Sequence, residues 1–396
     1  MRKRKKETKI LHDWESVDLG RNIPDALPIY PSTAFSIDDL DHLEKMETGH
    51  TANFQYARSN TPNHTALSGA LATAEEGEAA VVCSAGMAAI YAAVTSAVKP
   101  GDHVIVSDYI YSETLNLFLD YFPDMGITCD LVDLDNEKSY LEAFQPNTRL
   151  VVTEILTNPT LKVIDVPYVV QEAHRRDALV MVDNTFTTPV LINPITLGVD
   201  IVVHSCTKFI NGHNDATGGV IVGKNDFIQK AKERIVIYGS FLSPHDAWMI
   251  HRSMKTMGLR VTRQCENAWA LAKYLQQHPQ VRKVFYPGLT GHLGHDRASR
   301  MLTGGFGGIL SFDLGDEKET IQQFIRSLKT IRFVPTLGGV KTTLSYPAVW
   351  GSVLSLPPGV KETIGITDGL LRLSVGIEHI DDLIGDIEDA FSDLSS

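Results

Sequence analysis

The chain has 396 residues, 43% of them hydrophobic, which is more than one ordinary core requires, so a larger and a smaller domain are expected. A formal net charge of −12 argues against nucleic acid as the main partner, because neutralising phosphates needs a basic face. No apolar stretch approaches the roughly 20 residues of a membrane span, and no signal-type apolar region follows the basic start. A soluble, unexported, cytoplasmic protein is therefore expected.

The basic run Met1–Lys6 reads as a solvated end, with a nucleic-acid or lipid contact as the alternative. Residues 1–60 are polar and interrupted by Pro24, Pro28 and Pro31, which predicts an extended arm. A helix is expected from His64 to Glu76, a strand over Ala79–Cys83, and a turn at Ser84-Ala85-Gly86-Met87 that enters an Ala-rich helix. Further strands are expected at Val104–Val106, Cys129–Val132, Leu150–Val152, Leu179–Val182, Ile201–Val203 and Gly219–Val222. Most are separated by helical stretches, which predicts an α/β domain over residues 61–255 with a mostly parallel sheet. A long helical stretch from about 244 to 278 leads into a smaller α+β domain, residues 256–396, with strands at Gly308–Asp313 and Leu371–Val375. Cys83, Cys129, Cys206 and Cys265 are widely spaced and lack any Cys-x-x-Cys pairing, so reduced thiols are expected rather than disulfides or metal ligands.

Two strand endings carry the chemistry. Met181-Val182-Asp183 and His204-Ser205-Cys206-Thr207-Lys208 place a carboxylate and a hydroxyl-flanked lysine at the carboxyl ends of apolar runs, where open α/β sheets bind ligands. The three residue types suit pyridoxal phosphate. A carboxylate keeps the pyridine nitrogen protonated, hydroxyls bond the phosphate, and a lysine amine forms a Schiff base. Gly86 and Met87 open a helix whose amides can face a phosphate, although a Ser-x-Gly turn is also an ordinary helix start. Tyr109 and Tyr111 can stack on a planar ring or pack on the surface. Glu154 to Pro159 supplies polar groups at another strand end, or a plain turn. Tyr56 and Arg58 lie in the arm, far in sequence from the rest. Arg372 is embedded in an apolar strand and must find an anion, either a substrate carboxylate or a structural salt bridge.

These motifs resemble the Cys/Met-metabolism family of pyridoxal phosphate enzymes, which includes cystathionine γ-synthases, cystathionine γ- and β-lyases, methionine γ-lyases and O-acylhomoserine sulfhydrylases. The resemblance runs from about Leu27 to Asp382 and is strongest from Ser205 through His213, Asp215 and Gly218-Gly219. It implies an aspartate-aminotransferase-like fold of type I with pyridoxal 5′-phosphate as cofactor. It further implies that Lys208 is the Schiff-base lysine and Asp183 the partner of the pyridine nitrogen. Ser205, Thr207, Gly86 and Met87 would hold the phosphate, Tyr111 would stack on the ring, and Asn158 would lie near the 3-hydroxyl. Tyr56 and Arg58 match a motif that completes the neighbouring subunit's site, which implies a homodimer and commonly a tetramer. Arg372, with Thr342 nearby, matches the position that binds the substrate carboxylate.

Several positions depart from the family's pattern: Tyr111-Ser112-Glu113-Thr114 replaces Tyr-Gly-Gly-Thr, Lys341 stands where Glu is common, Ser352 where His is usual, and Gln55 precedes Tyr56. Glu113 and Lys341 are accordingly expected to act on the substrate side chain. The resemblance implies γ-elimination or γ-replacement on a sulfur-containing or homoserine-derived amino acid, with a lyase favoured over a synthase and a β-lyase as the other enzyme reading. A cofactor-binding protein that has lost catalysis is the non-enzyme alternative, and retention of Lys208, Asp183, Tyr111 and Arg372 speaks against it.

Overall fold

In a computed structural model, residues 4–12, 24–50, 54–315, 318–354 and 365–394 are described. Met1 to Lys3 of the basic run, and the side chain of Ser352, lie outside them. The larger sheet contains β1 (Ala79–Cys83), β2 (His103–Ser107), β3 (Thr128–Val132), β4 (Thr148–Glu154), β5 (Leu179–Asp183), β6 (Ile201–Ser205) and β7 (Gly219–Gly223). Their order is β1-β7-β6-β5-β4-β2-β3. Every neighbouring pair is parallel except those that β7 makes with β1 and β6.

The apolar runs follow from burial on both faces. Ile105, Val151, Val180, Val202 and Val220 point into one core, while Val104, Val152, Met181, Ile201 and Ile221 point into the other. Alternate side chains of one strand thus feed opposite layers, so no polar periodicity survives. Each such side chain contributes about 1.5–3 kcal/mol by leaving water.

The predicted helical stretch from 244 to 278 is two helices, Pro244–Met254 and Met257–Gln277, broken at Lys255 and Thr256. Ser243 caps the first by accepting from the amides of His245 and Asp246. Beyond them lies a second sheet of β8 (Lys283–Phe285), β9 (Ile309–Asp313), β10 (Arg332–Phe333), β11 (Thr343–Ser345) and β12 (Leu370–Ser374), ordered β10-β11-β12-β9-β8 and mostly antiparallel. Phe312, Phe324, Leu371 and Phe391 lie in a core of its own.

The amino-terminal segment is not wholly extended. It contains helices Lys6–His12 and Leu40–Glu47, and its irregular part is tied to the helices Pro62–Glu75 and Pro244–Met254. The Tyr30 amide donates to Asn63 Oδ1, Asn63 Nδ2 donates to Pro28 O, and Trp248 Nε1 donates to Leu27 O. All four cysteines are free, and Cys83, Cys206 and Cys265 are buried.

Candidate active site

A cavity of about 590 Å³ opens where the carboxyl ends of β4, β5 and β6 face Arg372 of β12. Glu154, Asp183 and Ser205 end those three strands, and Glu154 lies opposite Asp183 in the register. Burial pushes the Asp183 carboxyl above its ordinary range, against which hydrogen bonds from Thr185 and the nearby His204 pull it back down. The Thr185 amide donates to Asp183 Oδ1 at 2.9 Å. Glu154 is pushed well above the carboxylate range by its own burial and by Asp183 beside it. Its Oε1 accepts the Tyr111 amide at 2.9 Å, while Oε2 is buried without a partner.

Lys208 sits in the turn after β6, where its amide donates to Ser205 O at 3.2 Å. Two features fix that turn from behind. Arg260 is buried and donates to Phe209 O, Ile210 O and Ser253 O at 2.8–3.0 Å. Gly338 has φ +79°, and a Cβ there would lie 2.5 Å from Phe209 N and 2.8 Å from the Lys208 carbonyl carbon, so only glycine lets that loop close on the lysine. Burial, and then the charge of Arg372, lower the Lys208 pKa from 10.5.

At one side of the cavity the helix Gly86–Ala97 begins with Ala85 as a cap that has no side chain to accept the first amides. Those amides, with the hydroxyls of Ser205 and Thr207, line the wall and form a donor set for an anion. The approach is close: a Cβ on Gly86 would lie 2.8 Å from Ser205 Cβ, and one on Gly219 would lie 2.1 Å from Ala85 O. Thr207 Oγ1 accepts the Gly218 amide at 3.1 Å.

Arg372 is 3% exposed, and among the described residues no carboxylate is within ion-pair reach of it. Its Nη1 donates to Asn158 Oδ1 at 2.9 Å and Nη2 to Thr336 O at 3.1 Å, its Nε has no partner, and its guanidinium lies 4.8 Å from the centre of the Trp350 ring. The structural salt bridge that sequence left open is absent among the described residues. Tyr111 and Glu113 also border the cavity. Burial first, and then Glu113, push the Tyr111 hydroxyl up.

Over residues 7–392 the chain matches the family described as "Cys/Met metabolism PLP-dependent enzyme". The chain belongs to that family. It is 37% identical over 391 residues to a cystathionine β-lyase of Lactococcus lactis, covering 97% of this chain and 98% of the relative. An L-methionine γ-lyase of Fusobacterium nucleatum is 37% identical over 368 residues and 92% of each chain. In structure it is similar to a cystathionine γ-synthase of Xanthomonas oryzae, with a TM-score of 0.92, 32% identity and 99% of both chains covered. The chain is thus a pyridoxal 5′-phosphate-dependent enzyme of fold type I. As a Cys/Met-metabolism enzyme it carries a set of groups that fits this cofactor: uncapped amides that suit an anion, a buried carboxylate that suits a cationic nitrogen, and a lysine whose amine has no partner among the described residues, all lining one cavity.

Two residues expected on the substrate side lie off the cavity in this chain. Lys341 is exposed, and Thr342 is buried with its hydroxyl donating to Glu378 Oε2 at 2.8 Å; neither borders the cavity. Tyr56 is 46% exposed and Arg58 donates to Val236 O at 3.0 Å, both outside the cavity of their own subunit. Gln55 donates to Glu47 in the arm. Sequence reasoning missed Trp350, Thr336 and Phe186 as lining residues. Nothing in their local sequence marks them, and only the packing of the second sheet's loops on the first brings Thr336 and Trp350 in.

Proposed function

We propose that this enzyme eliminates or replaces the γ-substituent of a sulfur-containing or homoserine-derived amino acid, in the manner of a methionine or cystathionine γ-lyase. The observation that carries this reading is Arg372. A buried guanidinium with no counter-ion among the described residues, beside the proposed lysine, suits the α-carboxylate of an amino acid, which it can bind with two parallel hydrogen bonds. When bound, pyridoxal phosphate supplies a cationic ring that delocalises the electron pair left at the substrate α-carbon.

The chain's own residues supply the rest. Asp183 would hold the ring nitrogen protonated, the Gly86 and Met87 amides with Ser205 and Thr207 would hold the phosphate, and Asn158, which accepts from Arg372, would serve the 3-hydroxyl. Lys208 Nζ would be the covalent anchor, and its amine, when free, would take the α-proton and shuttle further protons. Its lowered pKa makes the neutral, basic form more accessible. Tyr111, at the cavity wall, would cover the ring. Release of 2-oxobutanoate and ammonia from methionine, without added thiol, is the expected outcome when a panel of methionine, cystathionine, homocysteine, cysteine and O-acylhomoserines is assayed. No 2-oxo acid from any of them, and no replacement product with added thiol, would refute the reading.

A second reading, β-elimination, is favoured by the similarity to the Lactococcus β-lyase, and pyruvate as the sole 2-oxo acid would select it. A thiol-dependent product would select a synthase. Glu113 is the acid facing Tyr111 in the cavity, with Ser112 Oγ donating to its Oε2 at 2.6 Å. It disfavours substrates with a purely anionic distal group, so Glu113→Gln should raise kcat/KM for O-succinylhomoserine several-fold relative to methionine. An unchanged ratio would remove Glu113 from specificity.

The exposed Tyr56 and Arg58 complete the cavity of a neighbouring subunit, which makes the working unit at least a homodimer. Mixing Arg58→Ala with Lys208→Ala subunits should restore part of the activity that each lacks alone, since one of the two shared sites in a mixed dimer is intact. Absence of any recovery on subunit exchange would count against a shared site.

A further inference from the structure

One buried polar network takes no part in the chemistry just described, yet it adjoins it on two sides. Glu75 ends the helix Pro62–Glu75, is 0% exposed and does not border the cavity. Its Oε1 lies 2.5 Å from His204 Nε2 and accepts Asn184 Nδ2 at 2.7 Å, while Oε2 accepts Asn193 Nδ2 at 3.2 Å. Asn184 directly follows Asp183, and His204 directly precedes Ser205. Asn184 is held further by Thr187 Oγ1, which donates to its Oδ1. The network continues outward, because Asn193 Oδ1 accepts Lys6 Nζ at 2.8 Å, and the same ammonium reaches Pro189 O at 2.8 Å.

A fully desolvated carboxylate is costly, and apolar side chains would fill the same volume without that cost. What hydrogen bonds add is fixed distance and direction between the elements they join. Here one carboxylate joins the ends of β5 and β6, the two strands whose last residues carry the ring-nitrogen and phosphate contacts.

We propose that Glu75 is a positioning residue for the cofactor. By holding Asn184 and His204 it fixes the separation of Asp183 and Ser205, the two residues assigned to the ring nitrogen and the phosphate, and Lys6 of the amino-terminal helix anchors the network at its outer end. The proposal rests on the cofactor assignments of Asp183 and Ser205 made above.

The test is titration of full-length apoenzymes with pyridoxal phosphate, followed by visible absorbance and visible circular dichroism, alongside thermal unfolding of each apoenzyme. Glu75→Gln should raise the cofactor dissociation constant about tenfold and Asn193→Ala a few-fold, both with altered visible circular dichroism. The neighbouring, exposed Glu76→Gln should match the parent. Parent-like affinity and circular dichroism in Glu75→Gln and Asn193→Ala would overturn the proposal, whatever their melting temperatures. Should Glu75→Gln fail to fold, Asn193→Ala decides alone. Asp183→Asn and Ser205→Ala in the same titration separate the two levels. If neither weakens binding, the underlying assignment has failed; if both do while the network variants do not, only the role of Glu75 has.

Discussion

Lys208→Ala should leave a folded protein that binds pyridoxal phosphate without a covalent bond and turns over substrate at least about 10³-fold more slowly. The fold should tolerate the change, since no described residue makes a hydrogen bond or ion pair to the lysine amine, and the backbone contacts that fix its turn come from Arg260 and Gly338. The loss combines two functions of one atom, covalent anchoring and proton transfer. The sign of the pH effect follows from the surroundings. Burial and the Arg372 charge lower the Lys208 pKa from 10.5, so the neutral amine becomes populated at a lower pH than for a free lysine. Capture of the cofactor aldehyde by apoenzyme, fixed by borohydride and read by mass, should reach half-maximum below pH 10.5. A Lys208→Ala enzyme of normal rate would end the mechanism.

Arg372→Leu is expected to have the next largest effect, a fall of about 10–100-fold in kcat/KM carried mainly by KM. The estimate follows from losing a charged, two-pronged contact in a site that water scarcely reaches. Leucine keeps the side chain apolar and fills part of the space, but Asn158 Oδ1 and Thr336 O lose their donors, so some stability should be lost as well. The same substitution removes one of the two causes that lower the Lys208 pKa, so the midpoint for cofactor capture should move up in pH. Steady-state kinetics with the substrate found active gives the first readout and the apoenzyme pH series the second. A midpoint that stays in place, with KM unchanged, would show that Arg372 faces neither the substrate nor the lysine.

Much of the fold was legible because strands covered on both faces carry almost no polar residues: Leu179–Val182 and Ile201–Val203 could be little else. The carboxyl ends of those strands then pointed to Asp183, Ser205 and Lys208 without any knowledge of the partners. The antiparallel entry of β7 was not legible, since the apolar pattern of Gly219–Val222 is the same in either direction. The break between Met254 and Met257 was missed because neither Lys255 nor Thr256 is a strong helix breaker. Glu75 read as one acidic residue near a helix end, with Glu76 and Gly77 after it. Its three partners stand more than 100 residues away, and only the folded sheet brings them to it. Thr342 shows the reverse. The family resemblance placed it near Arg372 on the substrate side, whereas in this chain its hydroxyl donates to Glu378.

The most direct test of the central claim, that this cavity holds pyridoxal phosphate through Lys208, is to reduce the purified holoenzyme with borohydride and locate the modified peptide by mass spectrometry. One phosphopyridoxyl group per chain, on Lys208, is the expected result. Modification of a different lysine, or an unmodified chain from a yellow holoenzyme, would contradict it.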